Sequence, residues 1–318
     1  MKRFRRINFP FLAVLSMLLL VTSCAETTKT NNSELALNET AKKEDSKPVA
    51  KELSEAFKKY WYAGKAEITS YEIEEARYGE IREGKAVLIY VTEPFLADKQ
   101  VKADRSNPDN IPVLKLNSTK KYLTGIYPYS IMESSFYPVA DNQHAVKVSG
   151  SVQEWCGQQY AQINNRERFE ITSHSYFEKE ADQNLSIDKA ILENELWNKI
   201  RINPKNLPTG AIRVVPSLQY IRLTHKDFKA YEATAKLSEK GDLTSYSIHY
   251  PSLERTLVIN FTTAFPHSIE SWEETAKSGY GSRAKTLTSK GTRLKRLKTA
   301  YWGQNSNSYI RLRDSLQL

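Results

Sequence analysis

Cysteine is almost missing from this chain, with two residues in 318, Cys24 and Cys156. If Cys24 is committed elsewhere, one thiol remains, and one thiol cannot close an intramolecular disulfide. The five histidines, at 144, 174, 225, 249 and 267, show no short paired spacing, so neither a metal site nor a cofactor is expected. A glycine-rich phosphate loop is lacking too. Gly79 and Gly84 stand alone in RYGEIREGKAV, which reads as strand, turn and strand. No apolar run reaches the roughly 20 residues of a bilayer-spanning helix, and no repeat of fixed period is present.

What the sequence does contain begins at its N-terminus. Lys2, Arg3, Arg5 and Arg6 form a cationic stretch, followed by an apolar run from Phe9 to Val21 broken only by Pro10 and Ser16. This is the pattern of a secretory signal peptide. The run ends at Val21-Thr22-Ser23-Cys24, which resembles the lipobox of bacterial lipoproteins. That resemblance implies removal of residues 1–23 as a signal peptide and lipidation of Cys24. With Ala25 next, and not aspartate, it also implies an outer-membrane address. Several acyl chains on one residue anchor a protein far more firmly than a single chain does. Loss of residues 1–23 removes four cations and lowers the formal charge from +9 to +5.

Residues 24–47 read as the lipidated cysteine and a flexible tether, because a segment rich in Thr, Asn, Glu and Lys cannot offset the entropy of ordering. Residues 48–318 read as a single β-rich domain. Pro48 opens a short helix in which Leu53, Phe57 and Trp61 share one face. Strands are expected over 67–73, 86–91, 127–139, 145–163, 169–177, from 212, over 246–250 and 253–261, and near 309–312. One helix is expected after Ser186 as N-cap, carrying Ile187, Ala190, Ile191, Leu196 and Ile200 and stopped by Asn203-Pro204. The fold class is therefore mainly β (α+β): a curved antiparallel meander sheet with one or two helices packed on or beside it.

The stretch SVQEWCGQQYAQ carries the remaining thiol. Val146, Val148 and Val152 share a parity that Cys156 continues, so Cys156 is expected mid-strand and buried as a small apolar side chain. With a turn at Asn164-Asn165, Cys156 would face Ser173 and His174 would face Trp155 on the outer side. Gln159 occupies the position of a resolving cysteine, which argues against a redox pair. As a nucleophile, Cys156 would need a histidine brought close by the fold. Glu154 shares the inner parity, so either a bulge near Gly150 reverses it or an inner cavity holds a charge. In the second case Glu154, Trp155 and Cys156 are the candidate ligand contacts.

A basic run, Arg283, Lys285, Lys290, Arg293, Lys295, Arg296 and Lys298, has no intervening acid. Outside the cytoplasm its counter-charges would be anionic lipid or polysaccharide and not nucleic acid, and the default is a solvated face. The segments WYAGKAEITSYEIEEARYGEIREGKAVLIYVTEPF, VLKLN, TGIYPYSIMESSFYPV, QEWCGQQYAQ and FEITSHSYFE resemble a family of bacterial envelope proteins, many of them lipoproteins, often labelled septum formation inhibitor Maf. The Ser-rich segment leading into Pro-Arg-Arg that marks the Maf nucleotide pyrophosphatases is missing, so the resemblance implies kinship without an activity. The leading expectation is an outer-membrane-anchored lipoprotein with a non-catalytic binding or envelope-maintenance role. It would shelter an apolar ligand or dock a partner, and reach the membrane through lipid on Cys24. The alternatives are a cysteine-dependent hydrolase or transferase using Cys156 and, less favoured, a Maf-like pyrophosphatase.

Overall fold

The computed structural model describes residues 52–105 and 107–318. The signal segment, Cys24 and the tether lie outside the described residues. The described residues belong to one compact unit. Helix α1 (Glu55–Trp61) is capped by Ser54, whose hydroxyl accepts the Phe57 N–H at 3.2 Å. It starts later than Pro48 suggests. The fourfold spacing does bury Phe57 and Trp61 together, with Leu53 packed beside them.

The chain then lays down β1 (Ala66–Arg77), β2 (Glu80–Leu96), β3 (Val101–Lys102), β4 (Asn110–Thr124) and β5 (Tyr127–Pro138). β6 (Lys147–Glu154), β7 (Gly157–Asn165), β8 (Phe169–His174) and β9 (Gln183–Ile187) complete this first meander. β10 (Ile191–Leu192), helix α2 (Glu193–Ile202), β11 (Gly210–Val215) and helix α3 (Leu218–Thr224) follow. The second meander is β12 (Tyr231–Lys240), β13 (Leu243–Tyr250), β14 (Arg255–Thr262), β15 (Ile269–Ser278) and β16 (Lys285–Thr299). A short helix, α4 (Leu312–Ser315), ends the described chain.

Antiparallel pairing of β16 with β1 joins the two meanders into one sheet running from β10 to β9, with β3 added beside β2. β10 and β11 pair in parallel, and the remaining pairs are antiparallel. The expected curved antiparallel sheet is therefore present, and its two edge strands are consecutive in the chain. Only residues 188–190 separate Ile187 from Ile191, so those strand ends lie within about 15 Å of each other. The sheet is rolled until its edges approach at one corner, yet β9 and β10 do not pair and the roll stays open.

The rolled sheet encloses its core. Inward positions of β5 (Tyr129, Ile131, Tyr137), β2 (Leu88, Tyr90) and β14 (Leu257, Ile259) join Leu196 and Ile200 of α2 in one cluster. Two smaller clusters lie outside it, one where Leu316 and Leu318 cover Ile68 and Val91, the other around Phe95, Val113 and Val146. Trp272 packs into a notch at Gly291, its direct cross-strand partner. A Cβ at Gly291 would lie 2.2 Å from the indole ring.

Three sequence expectations are corrected. The helix begins at Glu193 because Ser186 and Ile187 complete the sheet in β9 and Ile191 and Leu192 pair with β11. Glu195 accepts the Leu192 N–H at 3.3 Å, so the first turn is stabilised without Ser186. The 145–163 run is two strands and not one. Residues 309–312 form no strand, since β16 already has a neighbour on each side. That segment folds instead as a turn, Asn307–Tyr309, leading into α4. The basic run is largely β16, where Lys290 lies between Glu74 and Glu273, and Glu270 pairs with both Arg293 and Arg296 at 2.6 and 3.1 Å.

Charge is also present inside the roll. Arg201 of α2 meets Glu67 of β1 through two parallel contacts of 2.7 and 2.8 Å, with both side chains buried. The guanidinium lies between the rings of Trp61 and Tyr90, 4.9 and 4.6 Å from their centroids. Burial alone would raise the Glu67 carboxyl. The charge and hydrogen bonds of Arg201, the Tyr60 hydroxyl and the charge of Arg296 override it and hold the group down at about 2.

Two outcomes follow from this packing. Gly291→Ala should lower unfolding free energy by about 1–3 kcal/mol through overpacking against Trp272, read by urea denaturation. A carboxyl held below its unfolded value contributes stability that is complete above pH ~4.5 and is lost as pH falls through ~2. Glu67→Gln should therefore flatten the stability profile between those values by about one proton, on top of a loss of about 3–5 kcal/mol at neutral pH.

Candidate ligand cleft

Cys156 lies at a hairpin tip. Glu154 pairs with Gly157, so Trp155 and Cys156 form a two-residue turn between β6 and β7, and both side chains are exposed. The expected mid-strand, buried thiol is thereby corrected. A turn at Asn164-Asn165 would have required an unbroken strand through position 156, whereas β7 runs on through both asparagines. Ser173 therefore pairs with Ala161, and His174 with Tyr160.

No bulge occurs near Gly150, because β6 keeps regular register with both neighbours. Glu154 retains the inner parity but sits past the end of the core, where its Oε2 accepts the Cys156 N–H at 2.7 Å. Hydrogen bonding to Glu154 and the negative charge of that carboxylate push the thiol up from its ordinary value. This is the opposite of what activates a nucleophile. The histidines are engaged elsewhere: Nδ1 of His144 is 2.8 Å from Glu195, that of His225 2.5 Å from Glu180, and that of His174 3.3 Å from Asp182. Among the described residues no three His, Cys, Asp or Glu side chains gather as metal ligands, and no helix is long and apolar enough to cross a membrane.

A concave cleft lies elsewhere. Between α3 and the inner faces of β5 to β8 the roll leaves a cleft of about 530 Å³. Its floor is apolar, from Ile131, Val152, Ala161, Leu218 and Ile221, and its walls are polar, from Glu133, Gln159, Ser173, Ser175, Glu180 and Arg222. At β6 the helix α3 comes close to the sheet. Leu218 fits over Gly150, where a Cβ would meet its side chain at 3.1 Å. Ser217 caps α3 by accepting the Tyr220 N–H at 3.2 Å, and this sets Gln219 and Arg222 over opposite walls.

Gln219 ties α3 down at two carboxylates. Its backbone N–H donates to Glu133 at 2.8 Å and its side-chain amide to Glu75 at 3.2 Å. Burial raises Glu133 above the usual carboxylate range despite donors from Gln219 and Asn194, and burial likewise raises Glu75 despite Lys120 at 3.1 Å. On the opposite wall, the Arg222 Nε donates to Gln159 Oε1 and its Nη1 approaches Glu180 at 3.4 Å, with the guanidinium 4.4 Å over the Phe177 ring. The Gln159 amide orientation is set by that bond. Its Nε2 is buried with no partner among the described residues, and Gln159 is only 4% exposed.

Tyr280 reaches the cleft mouth from the β15–β16 turn and also borders a neighbouring pocket of about 240 Å³ that contains Arg77, Gln219 and Glu274. Other hairpin tips at this end carry Tyr78, Ile126, Trp155 and Tyr176, all exposed. Trp155 stands 6.2 Å from the Tyr127 ring, and Tyr176 lies against Gly157.

Of the sequence candidates, Glu154, Trp155 and Cys156 share one tip outside the cleft lining, while Cys24 lies outside the described residues. Sequence reasoning passed over Glu133, Gln159 and Arg222. A signal was available for two of them, since Glu133 shares strand parity with Ile131 and Ser135, and Gln159 with Ala161 and Ile163. Arg222 carried none, because α3 is too short for a periodic pattern.

No protein-family profile matches the sequence, and no curated protein matches it. Among solved structures, a porin-like protein from Bacteroides uniformis is similar at 10% identity, covering 72% of this chain and 96% of that one, with a TM-score of 0.22. A score that low does not show a shared fold.

The Cys156 environment makes one outcome measurable. The exposed thiol should react with iodoacetamide in the native protein, but more slowly than free cysteine at pH 7.5 because its thiolate is suppressed. Glu154→Gln should raise that rate severalfold. Equal rates in the two proteins would show that Glu154 does not govern the thiol.

Proposed function

We propose that this chain is an envelope lipoprotein, anchored to the outer membrane through lipid on Cys24, whose rolled β domain binds a small ligand without transforming it. The observation that carries the binding half is the cleft of about 530 Å³, which combines an apolar floor with the unpartnered Gln159 Nε2. Ligand sites of this size, mostly apolar with a few convergent polar groups, are typical of small-molecule recognition. A buried donor without an acceptor costs about 1–3 kcal/mol, which a bound acceptor would recover. The anchoring half rests on the cationic start, short apolar run and Val21-Thr22-Ser23-Cys24, together with the resemblance to envelope lipoproteins.

A cysteine hydrolase or transferase is disfavoured because Cys156 is exposed, raised by Glu154 and apart from the cleft lining. The Maf-like pyrophosphatase is disfavoured by its missing motif.

Expression in a Gram-negative host with lipoprotein processing tests the anchor. The mature protein should fractionate with membranes, and its intact mass should correspond to a chain beginning at residue 24 plus acyl groups. Cys24→Ser should abolish the acyl mass and move the protein out of the outer-membrane fraction. An unprocessed, unmodified chain in the cytosol would overturn the assignment.

A further inference from the structure

The walls of the cleft restrict what can fill it, and this inference rests on the ligand-binding reading above. A wholly apolar ligand would leave Gln159 Nε2 without an acceptor and would cover the Ser173 hydroxyl, at about 1–3 kcal/mol for each group left unsatisfied. A charged ligand meets inner walls whose charges are already engaged, while Lys179, Lys226 and Asp227 are exposed at the rim of the lining. Arg222 is engaged by Gln159 and Glu180, while Glu133 takes donors from Gln219 and Asn194. Deep in the cleft an anion would have to draw Arg222 away from Glu180, and a cation would have to displace the Gln219 and Asn194 donors that Glu133 already accepts.

A neutral polyhydroxyl ligand avoids both costs. Each of its hydroxyls donates and accepts, so it can accept from the orphaned Gln159 Nε2, donate to the carboxyl of Glu133, do either with Ser173, and donate to Ser175, whose own proton is on Glu180. Its C–H faces are apolar and match the floor of Ile131, Val152 and Leu218. Tyr280, 61% exposed at the mouth, offers a ring against which such a face can lie while its hydroxyl stays in water.

We infer that the cleft between α3 and strands β5–β8 takes a neutral saccharide, held by Gln159 and the serine wall within and by Tyr280 at the mouth. The aromatic tips beyond the mouth, Trp155 and Tyr176, lie on the β6–β7 side of the same end and would extend the contact along a longer glycan.

Isothermal titration of the full-length protein tests this. It should be kept in a sugar-free detergent such as lauryldimethylamine oxide, so that no glycoside headgroup competes. The probes are maltotriose, cellotriose, mannotriose and N-acetylchitotriose, with palmitate and inorganic phosphate as contrasting chemistries. At least one trisaccharide should bind saturably, and Tyr280→Ala and Gln159→Leu should each weaken it by roughly tenfold or more. Cys156→Ser should leave it unchanged. Because Tyr280 is exposed, its variant keeps the test sound if Gln159→Leu fails to fold.

No saturable trisaccharide binding up to about 10 mM, or binding that both cleft variants leave intact, would overturn the saccharide assignment. Palmitate or phosphate binding that is lost in Gln159→Leu, with no trisaccharide binding, would overturn it while leaving the general ligand-binding reading standing.

Discussion

Two buried guanidinium–carboxylate pairs tie helix α2 into the interior of the roll. At its C-terminal end Arg201 reaches Glu67 on β1, and at its N-terminal end Glu193 accepts from Arg255 on β14 and from the Tyr250 hydroxyl at 2.6 Å. Arg255 also holds Glu274 at 2.9 Å and stacks 4.1 Å over Tyr220 of α3. Removing water from such groups is expensive, and attraction in a low-dielectric interior offsets that cost only when geometry and hydrogen bonds are good. Both pairs meet that condition, so each binds one end of α2 to a particular strand and sets how far the sheet must curl.

The open corner follows from the same arrangement. The chain leaves the sheet edge at Ile187, returns at Ile191 and turns at once into α2, so the edge strands flank the point where the helix enters. A helix occupying the interior keeps the two edges from pairing across it, and α3 fills only part of the remaining space. The cleft is what is left over between α3 and β5–β8, and its polar walls continue the interior charge network through Gln219, Glu75 and Glu133. Anchoring of the helices and the existence of a binding site are thus consequences of one set of contacts.

Cys156 shows how a local pattern misleads. Its parity with Val152 placed it in a sheet interior, but parity loses its meaning once the strand turns, and the turn came after Glu154. The Glu154 carboxylate serves that turn by accepting the Cys156 N–H. The residue that looked most chemical in the sequence is a solvent-facing tip, whereas Gln159, which entered the sequence reading only as the missing resolving cysteine, is buried in a cleft wall.

Strand periodicity in the sequence determined the β class, the curved meander and most inner faces, because alternation is a property of neighbouring residues. Fourfold spacing determined the helical face of Phe57 and Trp61, and the lipobox resemblance marked Cys24 as the expected lipidation site. Strands β4, β12, β15 and β16 escaped notice where charged or small residues interrupt the alternation, as in β16, which read only as a basic run. Tertiary structure alone decided that Arg201 meets Glu67 across 134 residues, that β16 pairs with β1, and that β9 and β10 stop short of each other. The reason is physical: a residue's parity follows from its own strand, but its partner across the interior depends on how tightly the whole sheet rolls, and no short stretch of sequence encodes that curvature.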